Sequence, residues 1–140
     1  MNTLAIKSLE LINFSQHIAE NGSLTVLEGL KNVPFEIARV FFVLADSNSI
    51  RGNHSHIECS QLLVCLSGSI DVKCDDGKNK KVFSLSNPNV GLVIPPGIWA
   101  SQYYREDNSV LAVLCDKKYV ASDYIRNYEV FLKTKLNKID

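Results

Sequence analysis

The chain has 140 residues, and its 15 basic and 15 acidic side chains balance to a formal net charge of zero. That length suits a single domain, 1–140, with a closed core, and the even charge mixture, with no Lys/Arg run beyond pairs such as Lys80-Lys81, argues against a nucleic-acid partner. The start lacks a signal-peptide pattern and no apolar run approaches the ~18 residues of a membrane span, so a cytoplasmic protein without membrane contact is expected.

In chain order, His17 reads as a surface residue, and the first strong signals are short apolar runs. Segments 39–44, 61–66, 69–73, 81–85, 91–94 and 109–115 are each of strand length and rich in Val, Leu, Ile or Phe. Turn chemistry separates them: Ser67-Gly68, Asp75-Asp76-Gly77, Asn87-Pro88-Asn89 and Pro95-Pro96-Gly97. Short strands with turns every 8 to 12 residues or so predict an antiparallel barrel or sandwich. Segment 61–66 is apolar on both faces apart from Gln61, which suits a central strand covered on both sides and leaves Gln61 in need of a partner or ligand. From Asp123 the period changes, and Tyr124, Tyr128, Phe131, Leu132 and Leu136 recur at helical spacing after a residue able to cap a helix. A helical segment over about 123–136 is predicted, with 135–140 as a loose tail. Cys59, Cys65, Cys74 and Cys115 show no Cys-x-x-Cys spacing and read as free thiols.

The run Arg51-Gly52-Asn53-His54-Ser55-His56 holds two of the three histidines. In an extended strand residues i and i+2 share a face, so both imidazoles project into one space. Such a pair is open to metal binding, to proton transfer, or to an uneventful place in a surface loop. Arg51, three residues before His54, has the other parity and is expected at the barrel mouth, where its guanidinium is suited to a phosphate or to a surface salt bridge.

The spacing Gly52, His54, His56, then four residues to Gln61 and six to Gly68, resembles the first motif of the cupin family. Gly91 to Ala100, with Pro95-Pro96-Gly97, resembles the second. The resemblance implies an all-β fold, a cupin-type antiparallel jelly-roll barrel with a short C-terminal helix. Cupins bind a metal through the two histidines, a glutamate at the position of Gln61 and a histidine at that of Ala100. An amide and a methyl supply neither charge nor a strong donor atom. No metal is therefore expected, and the histidines turn to proton chemistry, for which their near-neutral pKa suits them.

Across nearly the whole length the chain resembles a narrower group, the sugar-nucleotide 3,4-ketoisomerases. The likeness rests on Asn21-Gly22-Ser23-Leu24, Asn32-Val33-Pro34-Phe35, the 51–56 run, 61–69, Asp75-Asp76-Gly77, Gly97-Ile98-Trp99, and Asp123-Tyr124-Ile125-Arg126-Asn127-Tyr128. It implies an isomerase that moves the keto group of dTDP-4-keto-6-deoxyglucose from C4 to C3 through an enediol, for bacterial surface-glycan 3-amino-3,6-dideoxy sugars. It also implies His54 and His56 as acid/base residues, no cofactor, and a homodimer with an exchanged N-terminal strand. The preferred division gives His56 the carbon-bound protons and His54 the sugar oxygens. Arg51 and Arg39 are assigned to the diphosphate, with Gln61, Asn21, Trp99, Ala100 and Tyr103 as further substrate-binding candidates; Trp99 suits core packing equally, and Tyr103 a loop.

Departures accompany the matches. Family members usually carry Tyr-Tyr at Phe41-Phe42 and often a lysine at Ile57. Asn21 and Ala100 follow neither the gluco-forming nor the galacto-forming pattern, which leaves the C4 configuration of the product open. Competing readings are a metal-dependent cupin enzyme and a noncatalytic sugar-nucleotide-binding protein.

Overall fold

The computed structural model describes residues 6–136. The strands are β1 Leu11–Asn13, β2 Gln16–Ala19, β3 Gly22–Thr25, β4 Arg39–Ala45, β5 Ile50–His56, β6 Gln61–Ser67 and β7 Ile70–Asp75. They continue as β8 Lys80–Leu85, β9 Val90–Ile94, β10 Trp99–Tyr104, β11 Ser109–Cys115 and β12 Tyr124–Ile125, followed by helix α1 Tyr128–Leu136. Two five-stranded sheets form, in the orders β1-β9-β6-β11-β4 and β12-β5-β10-β7-β8, with β2 and β3 as a separate hairpin. Neighbouring strands within each sheet are antiparallel, as in β6 against β11 and β10 against β7. This is the antiparallel jelly roll that the motifs imply.

The main core lies between the sheets, where Leu63, Cys65, Leu111 and Val113 of one meet Ile70, Val72, Cys74, Ala100 and Tyr104 of the other. Removing this apolar surface from water drives the two sheets together. On the outer face of β6, Leu62 and Val64 join Phe14, Val33, Ala112 and Leu114, with Leu27, Phe35 and Ile37 packed against them. Strand β6 is thus covered on both sides, which explains why its sequence does not alternate. The six apolar runs all become strands. Strands β5 and β10 have weak apolar signals because their inward faces carry polar groups, His54 on β5 and Gln102 on β10.

The C-terminal segment departs from the expected helix over 123–136. Residues Ala121–Asp123 form a 3-10 turn, β12 then pairs with β5, and α1 begins only at Tyr128. Asp123 is not the cap, because its carboxylate is taken up by His56 and by the backbone N–H groups of Glu58 and Cys59. Asn127 caps instead, its Oδ1 accepting from the Val130 N–H at 3.1 Å. The fully buried Phe131 anchors α1 against Trp99, ring centroids 5.6 Å apart. Of the predicted loose tail, Lys135 and Leu136 close α1, and 137–140 fall outside the described residues. Among the described residues no helix is long and apolar enough to cross a membrane.

Candidate active site

A cavity of about 390 Å³ opens between the sheets, lined by Arg51, His54, Gln61, Gln102, Tyr124 and Arg126 together with apolar residues that include Phe41 and Val113. Its shape depends on an irregularity in β5. Ala100 of β10 pairs with His54, but Ser101 pairs with Gly52, so Asn53 is an extra residue in the ladder. This is a β-bulge, and Gly52 and Asn53 adopt φ values of +87° and +57° to make it. The extra residue reverses parity. Arg51, which strict alternation puts on the opposite face from His54, lies opposite Gln102 and lines the same cavity. Only glycine suits position 52, where a Cβ would meet Gln102 Nε2 at 2.9 Å and the Ala100 carbonyl oxygen at 3.1 Å.

The two histidines meet edge to face with ring centroids 5.0 Å apart. Tyr124, paired with His56 across the β12–β5 ladder, packs against both, at 4.3 Å from His56 and 5.1 Å from His54. His54 reaches the cavity, whereas His56 is nearly covered and gives its Nδ1 to Asp123 Oδ2 at 2.9 Å. The other ring nitrogen of His56, Nε2, is buried without a hydrogen-bond partner among the described residues, as is His54 Nδ1.

Burial is the largest influence on both rings. It lowers the His54 pKa to about 4, helped by the charges of His56 and Arg126 and opposed by a Gly52 backbone hydrogen bond. His54 is therefore neutral at pH 7 and able to accept a proton. Burial also lowers His56, while the Asp123 carboxylate pulls the other way.

Three guanidinium groups surround these rings. Arg51 and Arg126 line the cavity, Arg126 lying over the Tyr124 ring at 4.5 Å. Arg39 sits behind, donating to the Tyr124 hydroxyl at 3.2 Å and to Cys115 Sγ at 3.5 Å. Gln61 also finds its partner in Cys115, with Nε2 donating to Sγ at 3.5 Å. At the inner wall the companions of the histidines are thus an amide already engaged with a thiol and the Ala100 methyl group. That donor set does not fit the metal that cupins hold at this place.

The structure brings together His54, Arg51 and Gln61, with His56, Arg39 and Ala100 immediately behind them. It does not bring Trp99, Tyr103 or Asn21. Trp99 faces the opposite side of β10 and packs on α1, its ring 5.3 Å from Tyr128. Tyr103 lies on that same outer side, in a smaller groove with Lys73 and Ser101. Strand alternation is the reason: Ala100 and Gln102 point inward, so 99, 101 and 103 point outward. Asn21 is an exposed residue of the β2–β3 turn. Sequence reasoning passed over Arg126, Tyr124, Asp123 and Gln102 as site residues. Helical spacing hid the first two, since in the extended segment actually formed, Tyr124 and Arg126 stand two apart on one face.

The family model described as FdtA, WxcM-like, C-terminal matches residues 7–136. The chain belongs to this family. The FdtA-family chain is 38% identical over 125 residues to the TDP-4-oxo-6-deoxy-alpha-D-glucose-3,4-oxoisomerase of Aneurinibacillus thermoaerophilus, covering 89% of the chain and 90% of that protein. QdtA, a sugar 3,4-ketoisomerase from Thermoanaerobacterium thermosaccharolyticum crystallised with TDP, matches with a TM-score of 0.91 and 34% identity, over 96% of this chain and 100% of that one. WlaRB, a TDP-quinovose 3,4-ketoisomerase from Campylobacter jejuni, matches with a TM-score of 0.86 and 39% identity, over 91% and 99% of the two chains. The resemblance to sugar-nucleotide 3,4-ketoisomerases read from the motifs therefore holds over the fold and the greater part of the sequence, and this FdtA-family chain is an isomerase of that class.

Proposed function

We propose that the protein moves the keto group of dTDP-4-keto-6-deoxyglucose from C4 to C3, with His54 as the residue that transfers protons at carbon. The observation that carries this is the position of His54 in the cavity, neutral at pH 7 and flanked by Arg51 and Arg126. This exchanges the division of labour preferred from sequence, because His56 is engaged with Asp123 behind the cavity wall. His54 removes the C3 proton beside the C4 carbonyl, and an enediol forms as O4 gains a proton. Loss of the O3 proton and delivery of a proton to C4 complete the isomerisation. No redox equivalent enters or leaves, so a base in reach and stabilisation of the developing oxyanion suffice. The Tyr124 hydroxyl, held by Arg39, and the buried His56 supply acid/base capacity near the sugar oxygens.

Arg51 and Arg126 bind the diphosphate, for which a guanidinium offers paired donors in fork geometry. The relative QdtA was crystallised with TDP and, as a histidine-to-asparagine variant, with TDP-4-keto-6-deoxyglucose. The product enters biosynthesis of 3-amino-3,6-dideoxy sugars for surface glycans, in the cytoplasm.

The protein works as a homodimer. Among the described residues strand β4 ends its sheet with an open edge, and Phe42 and Leu44 on it are 60% and 74% exposed. Among the described residues the β2–β3 hairpin pairs only with itself, and it exposes Ile18 and Leu24. An unpaired apolar edge and an apolar hairpin complement each other between two copies.

Proton NMR of the reaction in deuterated water tests the assignment. Deuterium is expected at C3 or C4 of the sugar with wild-type protein and no added metal, and none with His54→Asn, which keeps its affinity for TDP. Absence of exchange in the wild type overturns dTDP-4-keto-6-deoxyglucose as the substrate. Exchange that survives in His54→Asn and disappears in His56→Asn returns the carbon-bound protons to His56.

A further inference from the structure

On the Nδ1 side of the His56 ring lies a second cluster of chemically able groups. The ligating atoms of His56, Cys59 and Asp123 all lie within 4.8 Å of one another. They come from the end of β5, the turn that follows it and the 3-10 turn before β12. We propose that these three residues form a binding site for a thiophilic divalent cation, Zn2+ being the one whose ligand preferences they match.

Imidazole nitrogen, thiolate sulfur and carboxylate oxygen are the donor types of zinc sites with three protein ligands and an open fourth position. A thiol beside an imidazole disfavours Mg2+ and Ca2+, which take oxygen ligands. The set is also held in place. Glu58 and Cys59 donate backbone N–H bonds to the Asp123 carboxylate at 2.7 and 3.3 Å, which ties the turn carrying the sulfur to the element carrying the oxygen. His56 and Cys59 are 6% and 2% exposed, so the ion would sit in a largely dehydrated place.

Access comes from outside the barrel. A groove of about 300 Å³ runs up to Asp123 between Glu58, Ser122, Lys117 and Lys118, and it shares no lining residue with the cavity that holds His54. The site thus shares His56 with the cupin motif but opens on the side away from the cavity that holds His54. On binding, the Cys59 proton leaves to solvent and the proton shared by His56 Nδ1 and Asp123 moves to Nε2, which is buried and unpartnered. Burial pushes the Cys59 thiol up to about 12, with Cys115 and Asp116 adding to it, so the ion must displace a firmly held proton. Capture of His56 and Asp123 separates a pair that, on the function proposed above, serves catalysis. Zn2+ is thereby an inhibitor of the isomerase.

Cobalt titration of the purified protein tests the site without reference to activity. One equivalent of Co2+ is expected to bring up the near-ultraviolet band of a cobalt–thiolate bond, with displacement by Zn2+. The band should be lost in Cys59→Ser and in His56→Asn, and kept in Cys74→Ser, whose thiol lies elsewhere in the core. Absence of the band in the wild type, or its survival in Cys59→Ser, overturns the proposal. Where Cys59→Ser fails to fold, Zn2+ titration of wild-type protein followed by the His56 ring resonances decides, and unmoved resonances overturn the site. A protein without isomerase activity leaves the cobalt spectrum untouched, so failure of one proposal is readable apart from failure of the other.

Discussion

Asp123 Oδ2 lies 2.9 Å from His56 Nδ1, a contact between residues 67 positions apart in the chain. A carboxylate on Nδ1 keeps the proton there and leaves Nε2 facing the interior. Asp123 is itself oriented: burial raises its pKa, but hydrogen bonds from His56 and from the N–H groups of Glu58 and Cys59 outweigh this and hold it below the ordinary carboxylate range. The pairing brings the end of β5 and the approach to β12 into one unit, on which the placement of Tyr124 also depends.

Asp123→Asn should keep the shape and remove the charge. Loss of a positioned acid/base group costs about 10²-fold or more in kcat. His56, deprived of the partner that pulls its pKa up, should titrate lower still, so any acid limb belonging to it moves to lower pH. A kcat against pH profile of the variant reads both effects, and an unchanged profile with unchanged kcat removes Asp123 from the catalytic unit.

His54 makes stability fall in acid before activity does. Its folded pKa is about 4 against an ordinary 6.5, so between those values the unfolded chain binds the extra proton. Its contribution to stability is unchanged above pH 6.5, declines as pH falls through that window, and levels off below about 4. As the neutral base, His54 should support turnover down to the same lower bound. Urea denaturation at several pH values checks the first statement, and rates over that range check the second.

Arg126→Ala removes a cavity guanidinium without opening the core, since Arg126 is an exposed residue. A lost charge-assisted hydrogen bond corresponds to affinity for TDP weaker by about 10- to 100-fold. Calorimetric titration with TDP measures it. Equal affinity in the variant and wild type rules out a diphosphate contact at this position.

Gly52→Ala should damage the bulge that aims Arg51. The left-handed backbone and the 2.9 Å approach to Gln102 Nε2 both resist a Cβ. A strained position of this kind costs about 1–3 kcal/mol, and repositioning of Arg51 should raise KM in parallel. Thermal unfolding and steady-state kinetics report the two consequences separately.

Phe131→Ala tests how firmly α1 is seated. Phe131 is fully buried between Trp99 and the rest of the helix. Loss of such a ring costs about 3–5 kcal/mol. A variant as stable as wild type would mean that α1 packs without it.

The amino-acid sequence by itself determined the class of fold and the family. Short apolar runs between turns dictate antiparallel strands because each run can bury only a strand's length of surface, and the doubly apolar 61–66 segment foretold its central place in a covered sheet. The spacing of His54 and His56 put two imidazoles on one strand face, and Gln61 and Ala100 marked where a cupin's other ligands are missing. Only the tertiary structure decided which residues share the cavity. Periodicity counts positions along an unbroken strand, and the bulge at Asn53 breaks that count, bringing Arg51 to the face that alternation denies it. Alternation along β10, a strand weakly marked in the sequence, turned Trp99 and Tyr103 outward while Gln102 went in. Asp123 and Arg126 lay in a segment whose helical spacing was real but whose backbone hydrogen bonds go to β5 instead. Pairing with a distant strand outweighs local propensity there, since an N–H bonded across the ladder is no longer available to a helix.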